Sequence, residues 1–550
     1  MPRERVSGPS PSPAAKPRRA RSVAGLLPVV GLVWLAVAAA RIPILTPDVW
    51  WHLATGRTIA AGGLPQTDPF SYTLLGQPWL VHEWLADRIA WAVYARWGLL
   101  GVIFSRGLAI AVATALSYRL ARRHAPLAVA LPLVVLAAFA LQRNWIDRPQ
   151  LWTYVLLPAV VWCLESARLG ARRAVWLLPV LFALWVNLHG GFMLGLALVV
   201  AWQAACVAAA SDRAPALRQA LLVCGVCAAA VLLNPHGLQG ALYPLRYIGA
   251  GLRHTIQEEK PGLLDSTYAG VHFGLLLALA AALVWRWRAV PAPHRALALG
   301  LMWVSWPKLF GVALPFAAER HAPLFLVAGV PVLAWVLAGL LPARWVASPP
   351  ALGRAAASRQ AWAVALLLAG FTVWQAARLV PRDGTPAARL LPGRFPQAGA
   401  AWLQEERLPG RVLNPYRWGG FLLFRLFPAA QVWIDSRGDL YGAGRLAEEE
   451  LLYRMPAGAE PAAAQLLARW DPDVIVWYFL TIDFGRLQVH PFTRWLLSRS
   501  DWRLVFVDGA DSRLPQAPAG TTAIFLRVHP RNRAWLDRLP AVVLPPQLPG

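Results

Sequence analysis

The residues best suited to chemistry in this chain stand where long apolar runs end. The first is Asp48, in Thr46-Pro47-Asp48-Val49-Trp50-Trp51-His52-Leu53, just past the first such run. A carboxylate beside an apolar helix end is partly desolvated, which raises its basicity. Such a group suits a general base that takes a proton from a hydroxyl. The structural alternative is that Asp48 caps the helical stretch after it. Trp50 and Trp51 either stack on a sugar ring or anchor the loop at headgroup depth, where indole is favoured. Glu83, beside His82, is the second acid. It opens a polar-aromatic stretch, where a carboxylate also favours the helix dipole. Asp68, in Thr67-Asp68-Pro69-Phe70, reads as a turn residue.

Cations gather at similar positions. Arg148 lies in Asp147-Arg148-Pro149-Gln150, Arg320 and His321 stand at another junction, and Lys308 lies inside an apolar run. Fixed cations there suit a phosphate or pyrophosphate, with Arg gripping two oxygens at once. The alternative is pairing with adjacent acids, Arg148 with Asp147 and Arg320 with Glu319. His189-Gly190-Gly191 and Asn234-Pro235-His236-Gly237 are tight breaks, where Gly permits close backbone approach. Together with His52 or Glu83 these imidazoles allow a divalent cation, although the spacing matches no standard zinc pattern. No cofactor is fixed by these residues. Catalysis is thus expected of Asp48 and Glu83. Substrate binding is expected of Trp50, Trp51, His52, Arg148, His189, Asn234, His236, Lys308, Arg320 and His321.

The elements that must carry these groups are membrane helices. The 550 residues are 57% hydrophobic and 15% charged, too little charge for a soluble chain of this length. The apolar runs are about 17–25 residues long, the length that crosses a bilayer core. Helices are expected over 22–40, 99–120, 126–141, 151–166, 174–188, 192–210, 220–233, 268–285, 296–316, 323–341 and 360–377, about eleven spans. The net charge of +25 could suit a nucleic-acid binder. The basic residues, however, cluster at alternate connections, such as Arg18, Arg19 and Arg21, Arg119, Arg122 and Arg123, or Arg286, Arg288 and Arg295. That is the positive-inside pattern, and it explains the charge better than nucleic-acid binding does. It puts the N-terminus in the cytoplasm and residues 379–550 outside. In this frame His52, His82, His189, His236, His254, His272 and His321 lie on the outer side. His124 and His294 lie inside, where Glu165 and Asp212 are the acidic exceptions.

Residues 1–21 are expected to be disordered and cytoplasmic, and the run after them to be an uncleaved anchor rather than a signal peptide. Residues 22–380 form the membrane domain, with a first external loop at 41–97 whose segment 83–97 is an interfacial helix. Residues 381–550 are expected to form an external domain. Its apolar stretches shrink to strand length at 431–435, 473–478, 502–507 and 521–527, with helical patterns at 400–407 and 462–470, which suggests an α/β fold. Tyr416-Arg417-Trp418-Gly419-Gly420 and Asp435-Ser436-Arg437-Gly438-Asp439-Leu440-Tyr441 are its dense polar-aromatic clusters. The second follows an expected strand, where ligand loops of α/β folds lie. The four Cys (Cys163, Cys206, Cys224, Cys227) fall in apolar runs and read as packing thiols.

This arrangement resembles the GT-C superfamily of polyprenyl-phosphate-dependent glycosyltransferases, in which an essential acid follows the first helix. Asp48 fits that position and residues 41–97 look like that superfamily's first loop. The chain is also similar to a group of bacterial multi-span proteins with Asp-Val-Trp-Trp-His-Leu, Arg-Pro-Gln, His-Gly-Gly and Asp-Ser-Arg-Gly-Asp stretches. It departs from many superfamily members in having one acid, not a pair, near the first helix. The resemblance implies inverting transfer of a hexosyl or pentosyl group from a polyprenyl phosphate to a glycan, lipid or protein acceptor. It places the chain in a bacterial inner membrane, with Asp48 as base and Arg148 and Arg320 on the phosphate. A transporter or lipid-glycan flippase would instead need polar groups through the whole membrane. A non-catalytic assembly protein would use the external domain as its binding module.

Overall fold

The computed structural model describes residues 27–249, 267–306, 319–340, 393–408, 410–483, 486–508 and 522–544, with a few isolated positions besides. The helical part begins with α1 (Leu27–Ala40), α2 (Asp48–Gly62) and α3 (Trp84–Arg122). It continues through α4 (Leu127–Leu141), α5 (Gln150–Arg168), α6 (Leu178–Leu188), α7 (Phe192–Ala209), α8 (Arg213–Ala230) and α9 (Gly237–Gly249). Then come α10 (Thr267–Arg286), α11 (Ala292–Ser305) and α12 (Ala322–Ala338). Among the described residues four helices are long and apolar enough to cross a membrane: Trp84–Arg122, Leu127–Asn144, Phe192–Ala209 and Thr267–Arg286. The expected span at 360–377 falls largely, and Lys308 wholly, outside the described residues.

Two stretches expected as loops are helical. Helix α2 occupies the middle of the 41–82 segment, and α9 opens the connection after Gly237. Neither sequence is a long apolar run, so hydropathy alone passes over them. Tertiary packing makes the difference. Helix α2 buries Val49, Trp50, Leu53 and Ala54 along one face. The interfacial helix expected at 83–97 is the first arm of α3, and the chain turns at Gly98 (φ 61°, ψ −153°) into the spanning arm. That left-handed conformation is open to glycine and costly to other residues.

Small residues let the helices close on one another, as membrane helices require where apolar burial alone gives no drive. Gly107 of α3 lies on the Ala36 carbonyl of α1, and Gly56 of α2 on the Asp87 carbonyl of α3. Arg106 of α3 is 1% exposed. Its guanidinium donates to the Ala39 carbonyl (3.2 Å), to Asp147 Oδ2 (2.6 Å) and to the Ile42 carbonyl. This buried cation therefore fixes the end of α1, from which Asp48 follows, to the turn that carries Arg148.

The C-terminal domain contains α13 (Gln397–Glu405), β1 (Gly410–Leu413), α14 (Tyr416–Leu426), β2 (Ala430–Val432) and α15 (Gly438–Arg454). It continues with α16 (Glu460–Trp470), β3 (Val474–Tyr478), the hairpin β4 (Leu480–Asp483) and β5 (Arg486–Val489), and α17 (Pro491–Leu497). It ends in β6 (Trp502–Val507), β7 (Thr522–Arg527) and α18 (Arg533–Arg538). Five strands form one mixed sheet in the order β2-β1-β3-β7-β6. Strand β1 runs parallel to β2 and β3, and β7 antiparallel to β3 and β6. The central strands β3 and β7 are apolar nearly throughout because helices cover both faces. The β2 edge is not left open. The first loop adds to it, with Tyr72 N–H donating to the Val432 carbonyl (3.1 Å) and Val432 N–H to the Phe70 carbonyl (3.2 Å).

Candidate active site

Helices α3 and α5 begin at one end of the bundle, the end the charge pattern assigns to the outer side, and the expected site residues collect there. Asp48 opens α2. Its Oδ2 accepts from Arg148 Nε at 2.7 Å, and the same nitrogen lies 3.0 Å from Thr46 Oγ1. The expected alternative of Arg148 pairing with Asp147 does not occur, because Asp147 is taken by Arg106.

One turn beyond Asp48, His52 is buried against the first arm of α3. Gly56 brings α2 onto the Asp87 backbone, and His52, four residues earlier on the same face, meets the Asp87 side chain at Nδ1–Oδ1 2.6 Å. With Nδ1 donating to that carboxylate, Nε2 is turned towards Glu83, 4.0 Å away. Burial, opposed by Asp48 and assisted by Arg148, holds His52 down at about 3.

Glu83 is the centre of this end. Three imidazoles face its carboxyl: His82 at 3.6 Å, His189 at 3.7 Å and His52 at 4.0 Å. The orientation of His189 is fixed by its neighbours. Trp185 Nε1 donates to Thr153 Oγ1 (2.9 Å), and His189 Nδ1 receives the Thr153 hydroxyl (2.8 Å) and the Gly191 N–H (3.0 Å). Its Nε2–H therefore points to Glu83. Gly191 is required at that turn, since a Cβ there would overlap Thr153 Oγ1. Burial raises Glu83 well above the usual carboxylate range. The charges of Asp87, Asp439 and Asp48 push the same way, and Arg148 opposes them. His189 is lowered by burial first and then by Arg320, His82, His52 and His321, which places Arg320 and His321 within electrostatic reach.

The remaining expected residues have other surroundings. Trp50 is 2% exposed and packs edge-on against Phe395 (5.5 Å) and Phe421 (4.9 Å), inside the core that joins α2 to α14. It neither faces the Glu83 group nor lies at a lipid surface, because α14 covers it. Trp51 stays half-buried with its ring against His52 at 3.6 Å. Asn234 shapes the α8–α9 turn, donating to the Val231 and Gly237 carbonyls (2.8 and 2.9 Å) and accepting from His236 N–H (2.9 Å). Asp68 is fully buried and receives Arg437 of the C-terminal domain at 2.8 Å. Sequence reasoning passed over Asp87 as a partner of His52, Thr153 as the support of His189, and the pair Tyr243 and Asp439. The hydroxyl of Tyr243 donates to Asp439, and its ring stacks on His82 at 4.2 Å.

A second histidine–carboxylate group lies where α3 and α5 end. Glu165 accepts from Arg168 Nε and Nη2 (both 2.7 Å) and meets His124 Nε2 at 2.7 Å and His294 Nε2 at 3.3 Å. These three side chains have the mutual spacing of metal ligands. Arg168 already lies along both carboxylate oxygens, so the donor set suits a hydrogen-bonded tie between helix ends better than a cation.

A membrane bundle whose segment between α1 and α3 carries Asp48 and Glu83, closed at that end by an α/β domain, defines a class of fold. No family model and no curated protein matches the chain. Solved structures do. The apo oligosaccharyltransferase of Archaeoglobus fulgidus is 13% identical with a TM-score of 0.50, over 82% of this chain and 69% of that one. The mycobacterial arabinofuranosyltransferase AftD is 18% identical with a TM-score of 0.53, over 92% of this chain but 40% of AftD. ArnT of Cupriavidus metallidurans bound to undecaprenyl phosphate is 14% identical with a TM-score of 0.50, over 92% and 98%. All three are GT-C glycosyltransferases, and the fold of this chain is theirs. The resemblance drawn from the sequence holds at the level of the fold.

Proposed function

We propose that the chain is a membrane glycosyltransferase that moves a hexosyl or pentosyl group from a polyprenyl-phosphate carrier to a glycan, lipid or protein acceptor at the outer face. One observation carries this reading. Asp48, the first acid after α1, is held by Arg148 beside a mostly buried Glu83 and three imidazoles, in a GT-C fold. Asp48 is the base. Its carboxylate takes the proton of the acceptor hydroxyl as that oxygen attacks the anomeric carbon, and the bond from that carbon to the phosphate oxygen breaks. The polyprenyl phosphate leaves with the bonding pair, and its charge is met by Arg148 and Arg320. Glu83 is the second acid of the site, His52 and His189 shape the sugar end, and His236 and His321 stand at its rim. The membrane is a bacterial inner membrane with the N-terminus cytoplasmic and the C-terminal domain periplasmic.

The test is mass spectrometry of lipid-linked sugars and surface glycans in a deletion strain complemented with wild-type or Asp48→Ala protein. Lipid-linked sugar should accumulate in the deletion strain and in the Asp48→Ala strain, with wild-type protein restoring the glycan. An unchanged glycan in a well-expressed Asp48→Ala strain would overturn the assignment.

A further inference from the structure

The stretch Asp435–Tyr441 does two things within seven residues. Its first half docks the C-terminal domain. Arg437 is 3% exposed and bonds Asp435 twice (Nε–Oδ1 2.8 Å, Nη2–Oδ2 2.6 Å) and Asp68 of the first loop once (2.8 Å), with its guanidinium 4.5 Å over the Trp79 ring. Tyr441 adds a further donor to Asp435 Oδ2 at 2.7 Å. Buried ion pairs of this kind fix geometry, because neither partner has anywhere else to go.

Its second half reaches the outer site. Two residues after Arg437, Asp439 in the first turn of α15 accepts from the Tyr243 hydroxyl of α9. Tyr243 stacks flat on His82 (24° between planes), and His82 Nε2 stands 3.6 Å from Glu83. A carboxylate of one domain thus ends a series of contacts that runs through a phenol and an imidazole to the central acid of the other. The side chain is used across the domain boundary rather than by the N–H groups of its own helix.

We propose that Asp439 is a positioning residue of the outer site, supplied by the C-terminal domain: it holds Tyr243, and through it the His82 ring, against Glu83. Docking and completion of the site are then one event, since the clamp and the positioning carboxylate share one short segment. The kinetic half of the test rests on the transferase reading; the spectroscopic half does not.

Membrane vesicles from the deletion strain, which hold whatever donor and acceptor accumulate there, are mixed with purified full-length protein, and the initial rate of consumption of the lipid-linked sugar is followed. Asp439→Asn and Tyr243→Phe should each slow it about 10- to 100-fold, the cost of a misplaced site group. The double variant should be no slower than the worse single one, and Asp439→Glu should recover part of the rate. In parallel, 3-fluorotyrosine is placed at position 243 of the full chain without substrate. Its 19F resonance should move towards the solvent value in Asp439→Asn, and also in Asp68→Asn, which loosens the clamp. Additive losses, wild-type rates, or a resonance unmoved by Asp439→Asn overturn the proposal. If the wild-type chain consumes nothing while the resonance moves, the transferase reading falls and the two-domain assembly of the cluster stands.

Discussion

Glu83 and Glu165 stand at opposite ends of the same helices, each among imidazoles, and their contacts differ. At Glu165 every contact is at hydrogen-bonding distance, and Arg168 lies along both oxygens. At Glu83 the imidazoles stay 3.6–4.0 Å away, and its carboxyl makes no hydrogen bond among the described residues. A buried charge that is fully paired is quiet and holds structure. One left short of partners is pushed by burial towards its neutral form and keeps its oxygens open to a further partner. Composition alone does not tell the two groups apart; contacts of 2.7–3.3 Å at Glu165 against 3.6–4.0 Å at Glu83 do.

Exchanging the lesions gives the largest effect. Glu83→Gln keeps the shape and should cut transfer by ~100-fold or more, with the thermal midpoint retained. Glu165→Ala should do the reverse. Removing one partner of a buried pair costs roughly 3–5 kcal/mol, so the midpoint falls while transfer per folded molecule holds. Equal losses of transfer from both, with both midpoints intact, would break the comparison.

Acidification gives a smaller effect with a definite sign. His52 titrates near 3 in the fold against 6.5 ordinarily, so below pH 6.5 the unfolded chain takes up a proton that the fold refuses. Stability is lost as pH falls from 6.5 towards 3, on the order of 2 kcal/mol by pH 5. Glu83, raised by burial, works the other way and weakens the fold as pH climbs above 4.5. Thermal melts from pH 7 to 5 should therefore fall less steeply in His52→Asn than in wild type. Parallel slopes would remove His52 from the account. The smallest effect concerns the inner group. A chelator should leave the thermal midpoint within about 1 °C, and a drop of many degrees would make His124, Glu165 and His294 a metal centre after all.

Much of the outer gathering was legible because it follows from where apolar runs end. Asp48, His52, Arg148 and His189 stand at or just past such ends, and hydropathy finds ends well; Glu83 was found instead as the acid that opens the polar-aromatic stretch 83–97. What the residues do to one another was not legible. His52 meets Asp87 across 35 positions and Tyr243 meets Asp439 across 196, and no local pattern encodes either pairing. Trp50 shows the same limit from the apolar side. An indole after a helix looks like a membrane anchor or a sugar platform until α14 arrives from more than 360 residues away to cover it. In the C-terminal domain β3, β6 and β7 were readable as apolar runs. Strand β1 was not, because its four residues, Gly410–Leu413, carry too short a pattern.

The contact at Gly420 has a mechanical meaning. Helix α14 rests there on the carbonyl of Pro47, so closely that an added Cβ would stand 2.7 Å from that oxygen. The surface is a bearing with no clearance, set one residue before Asp48. Any load that tilts the C-terminal domain, such as a bulky acceptor leaning on it, arrives undamped at the first turn of α2. The position of the proposed base at the start of α2 is thereby gauged by a domain whose own sequence begins more than 330 residues later.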